Sequence, residues 1–332
     1  MLSAVLAGYE TGVRVGRAMG GTPDGVHDIG TWGQVAVSVA VARLLAPGHV
    51  EAAQRAIELS ASAVLLTDAE TVFAGTTGSH SFLGASVQTG ASLGLAAVAG
   101  LQAHPGSLDR HLGAVAARGW DAAELGRGVG TTWEEHEVLG GYVKVHPTCA
   151  HLHGVNDAVA DLLAAGLDGS AVGEVEVRAS SRTAVFDLVA NSELAARFSV
   201  PTSVALALTT GRLDETAMRD ETVLSPTVMD LATRVRVVHD PDLDAGYPAG
   251  RPARVMVVLT DGSVRSATAD RPRGDADRAL SRDELAAKAQ RLLQHRFGDR
   301  GADVLGAVQA MADGGTARAL GAALRGAAEG SP

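Results

Sequence analysis

The spacing of apolar residues changes twice along the chain, and this pattern limits the folds that the chain can adopt. The segments 174–178 and 254–259 alternate apolar and polar residues, which is the period of half-buried β-strands. Helical spacing returns from residue 283 onward. Before residue 140, apolar residues recur at helical spacing in the segments 1–19, 34–45, 50–66 and 85–101. The sequence therefore predicts a mostly α protein with a small α+β region in its middle.

Shorter periodic segments complete this prediction. Two amphipathic helices are expected at 108–118 and 122–125, and a strand is expected at 235–238. Residues 193–210 are expected to form a helix that Pro201 interrupts. The remaining predicted helices are 226–232, 283–296, 302–311 and 316–328. A chain of 332 residues is long enough for two domains, each with its own core.

Composition and charge exclude several classes of function. Aromatic residues make up only 3% of the chain, so alanine, leucine and valine must fill the core, and forty glycines favour closely packed helices. The net charge of −10 and the absence of a Lys/Arg run argue against nucleic-acid binding. Charged residues interrupt the first apolar stretch, so no signal peptide is expected, and no apolar run predicts a membrane span. With one cysteine, we expect a soluble cytoplasmic protein.

The stretch from Tyr142 to Ala158 concentrates the residues that carry chemistry. It contains Lys144, three histidines and Cys149, the only cysteine. Pro147 suits the first position of a helix, because its missing N–H would be unpaired there. Cys149, His153 and Asp157 would then lie on one face of that helix. A cation and a histidine at a helix start are a plausible seat for a carboxylate.

Three other interpretations of this stretch stay open at the level of the sequence. A histidine among apolar residues is often a packed core residue. A zinc site would need four ligands in tetrahedral order, but the spacings of His146, Cys149, His151 and His153 are irregular. Cys149 is also a candidate nucleophile, although nothing in the sequence indicates a lowered thiol pKa.

Two glycine-containing loops precede small-residue helices in the first region. The first runs from Gly20 to Gly33 and the second from Thr76 to Gly84. Thr31 is expected to cap the helix after the first loop, which would place His27 near the N-terminus of that helix.

Five segments, taken in order, resemble the MmgE/PrpD family, which includes 2-methylcitrate dehydratase and cis-aconitate decarboxylase. They are Ala7-Gly-Tyr-Glu…Arg14, His27-x-x-Gly-Thr-x-Gly33, Lys144-x-x-Pro-x-Cys149-x-x-x-His153-x-x-x-Asp157-Ala158, Ala196-Arg-Phe-Ser-Val-Pro, and Arg273-Gly-Asp…Leu280-Ser…Glu284-Leu…Lys288. Each segment alone is a weak signal, and their order across nearly the whole chain indicates kinship.

The resemblance implies an all-helical domain built from both chain ends, at 1–140 and 276–332, with an inserted α+β lid domain at 141–275. It also implies a lyase site in the cleft that uses no cofactor and no metal, and a homodimer. Family members add or remove water, or release CO₂, on small carboxylates. The resemblance makes His27, Lys144 and His153 candidate catalytic residues, and it makes Cys149, Thr31, His80, Ser79 and Thr202 candidate substrate-binding residues.

The chain departs from the family pattern at several positions. Gly78-Ser79 and Phe82 stand where the family often has Thr-Lys and a histidine, so His80 is displaced. Thr202 stands where a tyrosine is common. Family chains also carry a helical segment with site residues before the Gly-Tyr-Glu motif, and we expect this chain to lack that segment.

Two functions follow from these matches and departures. The first is a divergent enzyme that performs acid/base chemistry on a small carboxylate or related carbonyl compound in specialised metabolism, by dehydration, decarboxylation, isomerisation or cyclisation. The second is a non-catalytic or half-site subunit that completes a homologue. The expected partners are accordingly a small carboxylate substrate and a second chain, either in a homodimer or in a heteromer with a homologous or N-terminal-segment subunit.

Overall fold

The computed structural model describes residues 1–130, 136–247 and 249–328. The chain is 58% helical, with a small mixed four-stranded sheet inserted at residues 172–269. The predicted fold class, a mostly α protein with an inserted α+β region, is thereby confirmed.

The chain divides into two compact units. Unit 1 comprises Met1–Val72, Gly78–Gly140 and Ser281–Pro332, and unit 2 comprises Phe73–Thr77 and Gly141–Leu280. The predicted domains at 1–140, 141–275 and 276–332 stay a prediction, and within them residues 131–135, 248 and 329–332 lie outside the described residues.

In the described part of unit 1, the regular structure is helical apart from one short strand pair. Its main helices are α1 (Leu2–Ala18), α2 (Trp32–Leu45), α3 (Val50–Ser62), α4 (Ala69–Phe73, which ends at the unit boundary), α5 (Ser79–Val98), α6 (Ala123–Gly126), α13 (Arg282–Phe297), α14 (Gly301–Ala310) and α15 (Ala317–Ala328). The strands β1 (Val26–His27) and β2 (Thr67–Asp68) pair in antiparallel fashion, and a π-helical segment spans Leu108–Ala116.

Helices α1 and α5 both pack closely against α2, because glycines line the contacts. A Cβ atom at Gly8 would lie 2.5 Å from the carbonyl oxygen of Ala36, and one at Gly90 would lie 2.6 Å from that of Gln34. Close approach of backbones compensates for the scarcity of large side chains, since interiors must still reach close packing. The buried residues between these helices are Val15, Met19, Val35, Val39, Ala42 and Ala97.

Unit 2 contains the inserted sheet, whose strand order is β4-β3-β5-β6. Strand β3 pairs with β4 in parallel and with β5 in antiparallel fashion, and β6 pairs with β5 in antiparallel fashion. The strands are β3 (Val172–Ala179), β4 (Val235–His239), β5 (Ala253–Leu259) and β6 (Val264–Ala269). The helices are α7 (His153–Ala164), α8 (Ser181–Ala184), α9 (Glu193–Ala196), α10 (Val200–Thr210), α11 (Asp220–Val223) and α12 (Pro226–Thr233).

One face of this sheet packs against α7 and α10 to form the largest hydrophobic cluster. Val175, Val177 and Val255 are fully or almost fully buried there, whereas Met256 on the other side of the pleat is exposed. This alternation explains why the period-2 segments at 174–178 and 254–259 were the clearest strand signals.

Three boundaries and one strand differ from the sequence-based prediction. The predicted loop at 76–84 ends early, because α5 already begins at Ser79. The helix after Pro147 begins only with a 3-10 turn at Ala150–Leu152 and continues as α7. The break in 193–210 lies between α9 and α10, and Pro201 occupies the first turn of α10. Strand β6 was not predicted.

Helix α5 is long and apolar enough to cross a membrane by length and composition alone. Only 22% of its most apolar window is buried inside the protein. This is weak evidence, because core helices of soluble proteins meet the same criterion. The expected absence of a membrane span stays a prediction.

Candidate functional site

The start of α7 in unit 2 places a tyrosine against a buried histidine. The Tyr142 hydroxyl is hydrogen-bonded to Nδ1 of His153, and the two rings meet edge to face with centroids 5.3 Å apart. His153 is 0% exposed, and its Nε2 lies 3.4 Å from the carbonyl oxygen of Thr148. Both ring nitrogens of His153 are therefore engaged inside the protein.

The protonation states of this pair follow from burial. Desolvation is the main cause that lowers the pKa of His153 to about 3, and electrostatic interactions with His146 and Lys144 act in the same direction. Burial likewise raises the pKa of Tyr142 above its ordinary value. At neutral pH the phenol is therefore protonated and donates to Nδ1, and neutral His153 carries its proton on Nε2, toward Thr148.

A second buried pair lies next to the first. Nε2 of His146 donates to Oδ1 of Asp157 at 2.9 Å, and the His146 ring contacts the His153 ring with centroids 5.3 Å apart. The other carboxylate oxygen of Asp157 accepts from the backbone N–H of Arg273 at 2.6 Å. Asp157 thus joins α7 to the segment after β6 and fixes the orientation of His146.

Two cations surround the tyrosine and the cysteine of this cluster. Lys144 is exposed, and its positive charge acts on both the Cys149 thiol and the His153 imidazole. The guanidinium of Arg251 lies 5.1 Å from the centroid of the Tyr142 ring. Burial raises the pKa of Cys149, and the charges of Lys144 and Arg251 only partly oppose this effect. Because a thiol is a poor nucleophile, this environment does not favour nucleophilic catalysis by Cys149.

Among the residues that the structure describes, no group of three or more His, Cys, Asp or Glu side chains could hold a metal ion. The two histidines that the zinc alternative shares with this cluster have other partners. His153 faces Tyr142, and His146 faces Asp157.

The glycine loop of unit 1 holds His27 on the short strand β1. Nδ1 of His27 lies 3.0 Å from Oδ1 of Asp28 and 3.0 Å from the backbone nitrogen of Ile29. One nitrogen cannot donate and accept at the same time, so these contacts belong to different protonation states. With a proton on Nδ1 the ring donates to Asp28, and without it the ring accepts from Ile29. The hydrogen bond to His27 is the largest cause that lowers the pKa of the Asp28 carboxyl, which stays ionised.

The sequence profile of the MmgE/PrpD C-terminal domain matches residues 146–313, about half of the 332 residues. The chain belongs to the MmgE/PrpD family. Comparison with curated proteins gives no match. Members of the MmgE/PrpD family are mostly lyases, so membership implies chemistry of the dehydratase or decarboxylase type on small carboxylates.

The other residues that the MmgE/PrpD resemblance singled out lie in different surroundings. Thr31 is the N-cap residue of α2, but its hydroxyl donates to the carbonyl oxygen of Asp28 at 2.9 Å instead of capping the helix. Ser79 is buried and His80 exposed, both in the first turn of α5. Thr202 is fully buried, and its hydroxyl oxygen accepts from the backbone N–H of Ala190 at 2.9 Å. Their contact with substrate stays a prediction.

Three residues of the two clusters were not singled out from the sequence. Asp28 follows His27 directly, and Tyr142 stands two residues before Lys144. Their closeness in sequence to these candidate residues could have identified both. Arg251 stands more than one hundred residues from Lys144, and only the fold brings its charge to the Tyr142 ring.

Proposed function

We propose that this MmgE/PrpD protein is a lyase that removes water or CO₂ from a small carboxylate by acid/base chemistry. The observation that carries the proposal is the cluster at the start of α7. There a protonated phenol is oriented by a neutral buried histidine, the Arg251 guanidinium lies 5.1 Å from the centroid of the phenol ring, and the charge of Lys144 acts on the histidine.

Lys144 is the proposed carboxylate-binding residue. It is exposed, and its charge acts on the buried groups Cys149 and His153. A fixed cation also stabilises the negative charge that develops when a proton is removed next to a carboxylate, or when CO₂ leaves.

Tyr142 is the proposed general acid. In a dehydration, the hydrogen bond to Nδ1 of His153 breaks and the phenol O–H turns to the departing hydroxyl group, which takes the proton and leaves as water. The resulting phenolate lies beside the Arg251 guanidinium. His153 does not take this proton, because its imidazolium is strongly disfavoured. It is a positioning residue that holds the phenol by accepting its hydrogen bond.

His27 is the proposed proton acceptor, since the Asp28 carboxylate contacts its ring and is placed to stabilise its protonated form. The proton removed from carbon is released to solvent, and the Tyr142 phenolate regains a proton from solvent, so the proton balance closes. The proposal requires no cofactor.

Ligand binding tests the role of Lys144. Citrate or cis-aconitate should raise the melting temperature of the wild type by mass action, and much less in Lys144→Met. Lys288→Met is the matched control, because it removes the same charge from helix α13. Equal shifts in the wild type and both variants would contradict carboxylate binding by Lys144.

Turnover tests the role of Tyr142. Tyr142→Phe keeps the ring but removes the proton, and it should lower kcat by about 10²-fold with little change in KM. Tyr247→Phe removes a hydroxyl elsewhere in unit 2 and should leave kcat unchanged. An unchanged kcat in Tyr142→Phe would exclude Tyr142 as the acid.

The exposed apolar face of α1 favours a second candidate function. Leu2 is 50% exposed, Val5 56% and Tyr9 40%, and their spacing places them on one side of the helix. Contiguous apolar surface of this kind often marks an interface, so the chain could instead serve as a subunit that completes a partner. Light scattering on protein purified from its native host distinguishes these functions. A partner chain that is required for activity would support the subunit function. An active homo-oligomer would support the enzyme. A stable, active monomer would show that the apolar face of α1 is not an interface.

A further inference from the structure

A cavity in unit 2 lies beside α7, next to the face that carries His153 and Asp157. Its volume is about 320 Å³, within the range of small-molecule sites in proteins. Its apolar wall is formed by Ala160, Leu163, Ala164, Ala207 and Leu213. The polar residues that line it are His146, Asn156 and Arg212. An apolar wall with a few polar groups is the usual composition of a ligand pocket.

Asn156 brings an unsatisfied acceptor to this cavity. Its side chain is anchored because Nδ2 donates to the Thr148 hydroxyl at 3.0 Å. Its Oδ1 is buried and has no hydrogen-bond partner within the described part of the chain. Buried acceptors are rarely left unpaired, so we expect a ligand to donate a hydrogen bond to Oδ1.

Arg212 supplies a positive charge at the same cavity. Its side chain is 60% exposed, and its Nε lies 3.5 Å from a carboxylate oxygen of Asp214. Among the described residues no partner engages its two terminal nitrogens. A guanidinium in this state can still bind a carboxylate through those two nitrogens.

His146 completes the polar side of the cavity. Its Nε2 donates to Asp157, so in the neutral ring Nδ1 is an acceptor. Asp157 is already bonded to both His146 and the backbone of Arg273, and it offers no unengaged oxygen to a buried cation. The donor that faces Asn156 is therefore better supplied by a neutral hydroxyl than by an ammonium group, whose burial would be costly.

We propose that this cavity binds a small 2-hydroxycarboxylate with a branched apolar chain. The hydroxyl donates to Oδ1 of Asn156, the carboxylate binds Arg212, and the apolar chain packs against Leu163 and Leu213. The cavity adjoins the proposed Lys144 and Tyr142 chemistry, because His146 contacts the His153 ring. Ligand binding in the cavity does not depend on that chemistry.

Calorimetric titration of the full-length protein with three related compounds tests the ligand class. The probe is 2-hydroxyisovalerate, isovalerate lacks its hydroxyl, and 2-hydroxyisovaleramide lacks its charge. We expect 2-hydroxyisovalerate to bind at least tenfold more tightly than either analogue. Equal binding of isovalerate would overturn the role of Asn156, and equal binding of the amide would overturn the role of Arg212.

Variants locate the binding. Arg212→Gln should weaken binding of 2-hydroxyisovalerate at least tenfold, whereas Arg265→Gln on β6 should not change it. Ala160→Phe places a ring in the cavity from an exposed position of α7 and should abolish binding without unfolding the protein. Lys144→Met should bind as the wild type does. Loss of binding in Lys144→Met, or full binding in Ala160→Phe, would place the ligand elsewhere and overturn the proposal.

Discussion

The two histidines that the resemblance marked for catalysis, His27 and His153, have opposite environments. The side chain of His27 is 20% exposed, lies on a short strand in a glycine loop and contacts an ionised carboxylate. His153 is 0% exposed at the start of α7, and its pKa is lowered to about 3. A motif therefore specifies the residue type, but burial and neighbours decide whether that residue can exchange protons.

This difference assigns different tasks to the two histidines: His27 accepts a proton in the proposed function, and His153 positions another group. The ionised Asp28 carboxylate lies against the His27 ring, so a positive charge on that ring has a partner. A histidine without charged stabilisation stays neutral and can only orient another group. In unit 2 the group so oriented is Tyr142.

Removing His27 should have the largest effect on turnover. His27→Ala should lower kcat at least 10²-fold, with little change in melting temperature, because the ring is near the surface. Steady-state kinetics and thermal unfolding measure the two quantities. His49→Ala, at the exposed start of α3, is the control.

Two results would contradict the proposed catalytic role of His27. An equally active His27→Ala protein would remove His27 from the chemistry. A large loss of melting temperature would instead give it a structural role like that of His153.

Removing His153 should reduce stability. His153→Ala leaves a cavity in the cluster and deprives the Tyr142 hydroxyl of its acceptor, so the free energy of unfolding should fall by about 2–4 kcal/mol. Urea unfolding measures this change, with His80→Ala as an exposed control. A loss below about 0.5 kcal/mol would show that the buried pair contributes little to the fold.

The regular elements were largely predictable because they repeat one local pattern. Period-2 alternation located β3 and β5, and helical spacing located α1, α2 and the C-terminal helices. The start of α7 was mispredicted for a tertiary reason. The Arg197 side chain donates to the carbonyl oxygen of Pro147 at 3.1 Å, and the Cys149 N–H donates to the carbonyl oxygen of Arg197 at 2.7 Å. These bonds keep the segment at 145–149 out of the helix, and no local pattern shows them.

The candidate site was predictable in its residue types but not in its pairings. The sequence grouped Lys144, Cys149 and His153, and in the structure the charge of Lys144 acts on both other groups. Their shared role in a site stays a prediction. The sequence did not indicate that Tyr142 turns back onto His153. Such a contact depends on the path of the loop between them, which is set by bonds to α9 and its flanking residues.

The pH dependence of stability is the smallest expected effect, and it isolates His153. Its folded-state pKa, about 3, lies below its ordinary value of 6.5, so between these pH values the unfolded chain binds a proton that the folded chain does not. The contribution of His153 to stability is therefore fully present above about pH 6.5 and is lost as the pH falls toward about 3, by at most about 1.4 kcal/mol per pH unit.

Ionised aspartates also contribute less to the stability of the protein as the pH falls through this range. The quantity to compare is therefore the difference in pH dependence between the wild type and His153→Leu. Urea unfolding at about pH 6 and about pH 4.5 should show a weaker pH dependence in His153→Leu, while His80→Leu should match the wild type. Identical dependence in all three proteins would mean that His153 takes up a proton in the folded state as readily as in the unfolded chain, and the contrast between the two histidines would be lost.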